Sequence, residues 1–357
     1  MEFSLKPDFD QCKKRYDAFW NQKIIDRPPI SITIPVENPV KLPWKQYQNN
    51  RDRWLDVDFR AEEMSLNLKN QQYMADALPV AFPNMGPEIF SAWCGCEYEF
   101  GDCTTWSQPC IDDWEEESEK AVLNMEHPLF KATEKYTRRL LEYGKGNFIV
   151  GLTDFHPGGD HLAALRDPAN LAIDLLENDG FVKAKLKSSQ KEFFKAYDYF
   201  YNILKNENMP ITSWLPLIHD NRYYIPSNDF SCMISSKMFE EFFLEGIINE
   251  CRFYERSIYH LDGPGALRHL DMILDIKELD AVQWAEGAGN EGYEKWIHIY
   301  QIIQKAGKSL QLPCLKLDEI PMVFETLKPE GVWFSGFHGI HDADTANRVI
   351  NRISAWK

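Results

Sequence analysis

Short apolar runs, each about a strand long and each followed by a stretch long enough for a helix, recur along this chain. They fall at 30–35, 79–82, 147–152, 211–217, 257–261, 281–284, 309–312 and 332–334. They are rich in Val, Ile, Trp and Phe, as parallel strands covered on both faces tend to be. The segments 120–143, 169–206, 237–259, 292–306 and 342–356 between and after them are helix-length. One of these carries Met238, Phe239, Phe242, Phe243, Ile247 and Ile248 at helical spacing. The alternation predicts an α/β fold, and eight strand candidates predict a (β/α)8 TIM barrel. The first hundred residues fit least well: 9–20 and 52–74 read as amphipathic helices, and 36–43 is irregular. We read 1–357 as a single domain, with 1–75 an N-terminal helical elaboration, 76–357 the barrel, and 91–113 an inserted loop over its mouth.

A chain of 357 residues can bury a sizeable core. Its formal charge of −16 argues against a nucleic-acid surface and gives no help at an anionic membrane. The start, Met1-Glu2-Phe3-Ser4-Leu5-Lys6, lacks the basic and apolar regions of a secretion signal, and no run is long and apolar enough to cross a bilayer. A cytoplasmic protein is expected, with its eight cysteines as thiols.

Chemistry-bearing side chains cluster where these runs end, which in parallel α/β proteins is the open, reactive face. His260 and Asp262 are two apart at the end of 257–261, so on a strand both face one side and can offer a nitrogen and an oxygen to one divalent ion. Asp262 could equally cap a helix beginning near Ala266. His338 lies in a glycine-containing loop after the last run, where packing seldom requires an imidazole. His341 precedes Asp342 and Asp344, which read as a helix cap. Glu286 precedes Gly287 and Gly289, and Asp154, His156 and Asp160 form a polar loop after 147–152. Cys94, Cys96, Cys103 and Cys110 are close in sequence but lack the spacing of structural zinc sites, so free thiols are expected.

The residues resemble the uroporphyrinogen decarboxylase superfamily and, more loosely, its cobalamin-dependent methyltransferase branch. Gly336-Phe337-His338-Gly339-Ile340, with Thr345-Ala346-Asn347 after it, resembles the decarboxylases' Gly-His-Gly-Ile segment and following helix start. Tyr259-His260-Leu261-Asp262-Gly263 is similar to the His-x-Cys-Gly strand end of methylcobalamin:coenzyme M methyltransferases. Ser235-Ser236-Lys237-Met238-Phe239-Glu240-Glu241-Phe242 and Arg166-Asp167-Pro168 resemble two further family segments, and the likeness runs over residues 75–357. It implies a (β/α)8 barrel. It also implies a metal-assisted enzyme, with Zn²⁺ held by His260, Asp262 and His338 and with Glu286, His156 and Asp154 as catalytic candidates. Asn84, Gly287 and Gly289 are the candidate cofactor contacts. A small molecule or corrinoid would be the substrate and a corrinoid carrier protein a partner, with self-association left open. The chain departs from the decarboxylases: it lacks their arginine-rich loop, and Asn84 lies near the place of their catalytic aspartate. A metal-free lyase and a non-catalytic corrinoid- or tetrapyrrole-binding barrel are the alternatives.

Overall fold

The computed structural model describes residues 2–43 and 45–357. The strands are β1 (Ser31–Pro35), β2 (Gln71–Ala75), β3 (Val80–Ala81), β4 (Glu97–Phe100), β5 (Thr105–Gln108), β6 (Ile149–Val150), β7 (Tyr223–Tyr224), β8 (Arg256–Asp262), β9 (Ala281–Ala285), β10 (Ser309–Leu312) and β11 (Val332–Phe334). Five of them form one sheet in the order β11-β10-β9-β8-β7, every pairing parallel. Its inner strands β8, β9 and β10 are buried over most of their length. The result is a mixed α/β fold built on a parallel sheet.

Shorter parallel links continue beyond this sheet. β3 pairs with β6, Gly151 N–H donates to Ala81 O at 2.8 Å, and Leu152 N–H donates to Thr212 O at 2.8 Å. At the other edge Ile30 bridges Phe334 in parallel, and Asp76 N–H reaches Ile30 O at 2.7 Å. The run 211–217 is not a strand. Pro210 and Pro216 cannot donate to a ladder, and an antiparallel bridge from Ile211 to His219 folds the segment back. The helix expected over 52–74 becomes Asn50–Leu55 and Val57–Lys69, after which β2 runs antiparallel to β1. Segment 91–113 contains the β4–β5 hairpin.

Helix ends follow local chemistry. Asp167 adopts φ +81°, and its carboxylate accepts the N–H groups of Ala169 and Asn170, with Pro168 at the first helical position of Pro168–Glu177. The helical stretch after Ser235 is interrupted by a π-helical turn over Phe239–Phe243 before continuing as Leu244–Phe253. Buried side chains from Phe3 to Trp356 form one continuous cluster. At the N-terminal side, fully buried Asp76 pairs with Arg15 at 2.9 Å and with Arg27, and accepts Ile30 N–H at 3.0 Å. Among the described residues no helix is long and apolar enough to cross a membrane.

Candidate functional site

The site follows from strand register. β7 meets β8 with Tyr223 opposite Arg256 and Tyr224 opposite Ser257. The same offset continues past the end of β7, where Ser227 bridges His260 and His260 N–H donates to Pro226 O at 2.9 Å. Carried two residues further, that alignment sets Asp229 beside Asp262. Asp229, His260 and Asp262 each offer a ligand atom, and these atoms lie within 4.8 Å of one another. On the other side of β8, His260 is opposite Gln283 of β9. His260 Nδ1 lies 2.5 Å from Gln283 Oε1, an acceptor, so Nδ1 carries the proton and Nε2 faces Asp229 Oδ1 at 4.0 Å. The Trp214 ring meets the imidazole edge to face at 5.3 Å and restricts its rotation.

Asp262 occupies the cap position of the short helix Gly263–Ala266, yet its side chain makes no cap hydrogen bond. Of the two readings its sequence position left open, the cap is therefore not the one realised. Burial and then the charge of Asp229 raise its carboxyl pKa, opposed by His260. The metal donors expected from sequence were His260, Asp262 and His338. The structure groups the first two with Asp229 and leaves His338 outside the cluster. His338 follows β11, three places from β8 in the sheet order, and its N–H is bound to Leu315 O at 2.9 Å. It shares a small cavity of about 70 Å³ with Glu286 and Cys314.

Beside the donor cluster lies a cavity of about 640 Å³ lined by Asp154, His156, Asp160, Trp214, Asp229 and His260, among others. Its volume falls within the 300–1,000 Å³ range typical of small-molecule sites. His156 Nε2 and Asp154 Oδ1 are 2.8 Å apart. Burial would lower the His156 pKa, but the hydrogen bond to Asp154 and the charges of Asp154, Asp160 and Asp229 outweigh it and raise it to about 9. Burial, then the charge of Asp229, raises Asp160 to about 6. Asp160 Oδ1 accepts Phe230 N–H at 2.9 Å, and Ser227 Oγ lies 3.4 Å from its Oδ2 and 3.2 Å from Asp229 Oδ1. Two of the expected catalytic residues, His156 and Asp154, thus share a cavity with His260; Glu286 lines a different one.

The remaining candidates serve local structure. Asn84 Oδ1 accepts Gly86 N–H at 2.8 Å in a turn, and Gly289 N–H donates to Glu291 Oε1 at 2.8 Å. Gly287 and Gly289 adopt φ +75° and +82°, as a glycine turn does. Asp342 caps the last helix through Thr345 N–H at 2.8 Å. In the cysteine segment, Cys96 Sγ donates to Cys110 Sγ at 3.4 Å, Cys94 is buried and Cys103 is exposed.

The Asp154–His156 pair yields a prediction with a definite sign. Because the folded pKa of His156 is raised above 6.5, the stabilisation from this pair is complete below about pH 6.5 and fades as pH rises through about 9. Asp154→Asn should bring the His156 titration down by more than one pH unit. Heteronuclear NMR of the ring would record this, and an unmoved titration would show that Asp154 does not hold the proton.

No family model matches the chain, and no curated protein matches it in sequence. In three dimensions it is similar to a methyltransferase from Methanosarcina mazei, with a TM-score of 0.57 and 12% identity over 99% of this chain and 98% of that one. At that identity the likeness is one of fold, and it extends over nearly the whole of both chains.

Proposed function

We propose that the protein is a metal-assisted methyltransferase-like enzyme of the uroporphyrinogen decarboxylase superfamily, working on a small molecule and a corrinoid co-substrate. The observation that carries this reading is the convergence of Asp229, His260 and Asp262 at the ends of parallel strands beside a cavity of about 640 Å³. The whole-chain fold likeness to a methyltransferase supports it. We read the five-stranded sheet, the β3–β6 pair and the links through Ile30, Asp76 and Thr212 as arcs of one (β/α)8 ring in a single domain. A cytoplasmic setting and a corrinoid carrier protein as partner belong to the same proposal.

The donor set suits a divalent ion. One imidazole and two carboxylates form a harder site than a thiolate one, and Zn²⁺ accepts both donor types. His260 fits a ligand's role because Gln283 fixes its Nδ1–H, as outer partners of metal-bound histidines do. Asp262 fits because its carboxylate makes no cap bond. A bound Zn²⁺ would lower the pKa of a thiol or water and make it nucleophilic. Asp160, whose carboxylate lines the same cavity as Asp229 and His260, would accept the proton that the nucleophile releases.

The test is direct. Chelator-stripped protein titrated with Zn²⁺ should take up about one equivalent by calorimetry, the stoichiometry of a single three-donor site. With methylcobalamin and a panel of small thiols, the zinc-loaded protein should discharge the methyl–cobalt absorbance, and the stripped protein should not. Failure to bind zinc removes the metal from the proposal. A second reading draws on His156: held protonated by Asp154, it would offer a cation to a substrate carboxylate, as a metal-free lyase requires. Carbon dioxide release by the stripped protein would favour that reading.

A further inference from the structure

A second cavity, of about 320 Å³, lies against the same loop as the metal cluster and shares only Ser227 with the first. Ser227 borders both cavities, Asn228 borders only this one, and Asp229 borders only the other. Asn228 is 3% exposed, and neither its amide oxygen nor its amide nitrogen makes a hydrogen bond within the protein. Glu250, also 3% exposed, lines the cavity with its Oε2 unbonded. Buried amide and carboxyl groups without partners are uncommon in folded proteins, because each has given up water for nothing in return.

The surrounding chain is arranged around these groups. A Cβ on Gly159 would sit 2.2 Å from Asn228 Oδ1, so only glycine leaves room for the amide. The π-helical turn Phe239–Phe243 brings Phe242 and Phe243 to the wall, and such turns occur frequently at functional sites. At the rim, Lys183 is paired with Glu241 at 2.7 Å and Asp179 at 3.0 Å, and its ammonium lies 4.8 Å from the centre of the Phe242 ring. The charge at the entrance is thus largely balanced. Inside, burial raises the Glu250 pKa to about 8, so near neutral pH it is mainly a hydrogen-bonding acid rather than a charge.

We propose that this cavity is a second binding site, for a small neutral ring bearing a carboxamide or lactam edge. An amide is self-complementary: the ligand's N–H would meet Asn228 Oδ1, its carbonyl would meet Asn228 Nδ2, and Glu250 Oε2 would serve a neighbouring polar atom. Phe242 and Phe243 supply an apolar wall for a flat ring. The volume, near the lower end for ligand pockets, matches a single heterocycle. Because it uses neither Asp262 nor His260, the proposal stands apart from the metal reading.

Nicotinamide and uracil serve as neutral probes, with benzoate and benzylamine as charged counterparts, by ligand-observed NMR and by soaking crystals of the full chain. Saturable binding of a neutral probe is expected, at least tenfold weaker in Asn228→Leu and unchanged in Asp262→Asn. Should Asn228→Leu not fold, Glu250→Gln decides: it keeps a neutral hydrogen-bonding group and should retain the neutral probes within threefold. Tighter binding of benzylamine than of nicotinamide, abolished in Glu250→Gln, would overturn the neutral-ligand proposal. A cavity holding only water at saturating concentrations of every probe would overturn the site itself.

Discussion

Replacing His260 by alanine is expected to cost more Zn²⁺ affinity than any change outside the donor cluster, and to remove metal-dependent turnover with it. The imidazole is the cluster's nitrogen donor, and its Nε2 already faces Asp229 at 4.0 Å. Without it two carboxylates remain, and no nitrogen donor; the burial of Asp262 and the charge of Asp229 beside it raise the Asp262 pKa. Gln283→Leu provides the graded control. It leaves all three donors and removes only the acceptor that fixes the Nδ1 proton, so affinity should fall by roughly 10–100-fold, the usual cost of losing an outer-shell partner. Competition against a chelator of known affinity measures both variants. If His260→Ala binds zinc no more weakly than Gln283→Leu, the imidazole is not a ligand.

Asp76→Ala should cause the largest loss of stability of any single change to a charged residue. Its carboxylate is fully buried, pairs with Arg15 and Arg27, and holds Ile30 N–H. Arg27 is itself nearly buried, with its side chain 8% exposed. Removing the carboxylate would strand a guanidinium away from water, and breaking a buried pair from one side costs about 3–5 kcal/mol. Arg15 would suffer less, since it also grips Asp26 at 2.6 Å near the surface. Urea unfolding followed by circular dichroism gives the difference. A loss under about 1 kcal/mol, the range of an exposed pair, would mean that the Pro28 carbonyl, which accepts from Arg27 at 2.9 Å, suffices to hold the guanidinium.

What the sequence disclosed depended on how each segment earns its stability. The runs at 281–284, 309–312 and 332–334 correspond closely to β9, β10 and β11, because short buried strands keep a mostly apolar signature even where Gln283, Ser309 and Gln311 interrupt it. β2 was hidden inside a longer helical period, since Gln71–Ala75 is half-buried and continues the amphipathic pattern of Val57–Lys69. Its strand character comes from pairing with β1, which no local pattern encodes. The candidate site divides in the same way. His260 and Asp262 could be found because alternation along a single strand carries both. Asp229 could not, because it follows a strand of only two residues and joins the site through the β7–β8 register. The usable hint was the polar run Ser227-Asn228-Asp229 after Tyr223-Tyr224-Ile225, a strand-end pattern too short to stand out. His338 was misleading because strand-end position alone does not say which cavity a side chain joins.

The bridge from Ile30 to Phe334 has a kinetic corollary. It joins positions separated by most of the polypeptide, and Ser309 Oγ donates to Phe19 O at 2.6 Å across a similar span. Contacts of such high order form only after nearly all the intervening chain has condensed, because the entropy of closing so large a loop must first be met by shorter-range structure. Until then the outer edge of β11 lacks that neighbour and offers free backbone groups to another molecule. Refolding from denaturant should therefore be slow, and its yield should fall as protein concentration rises.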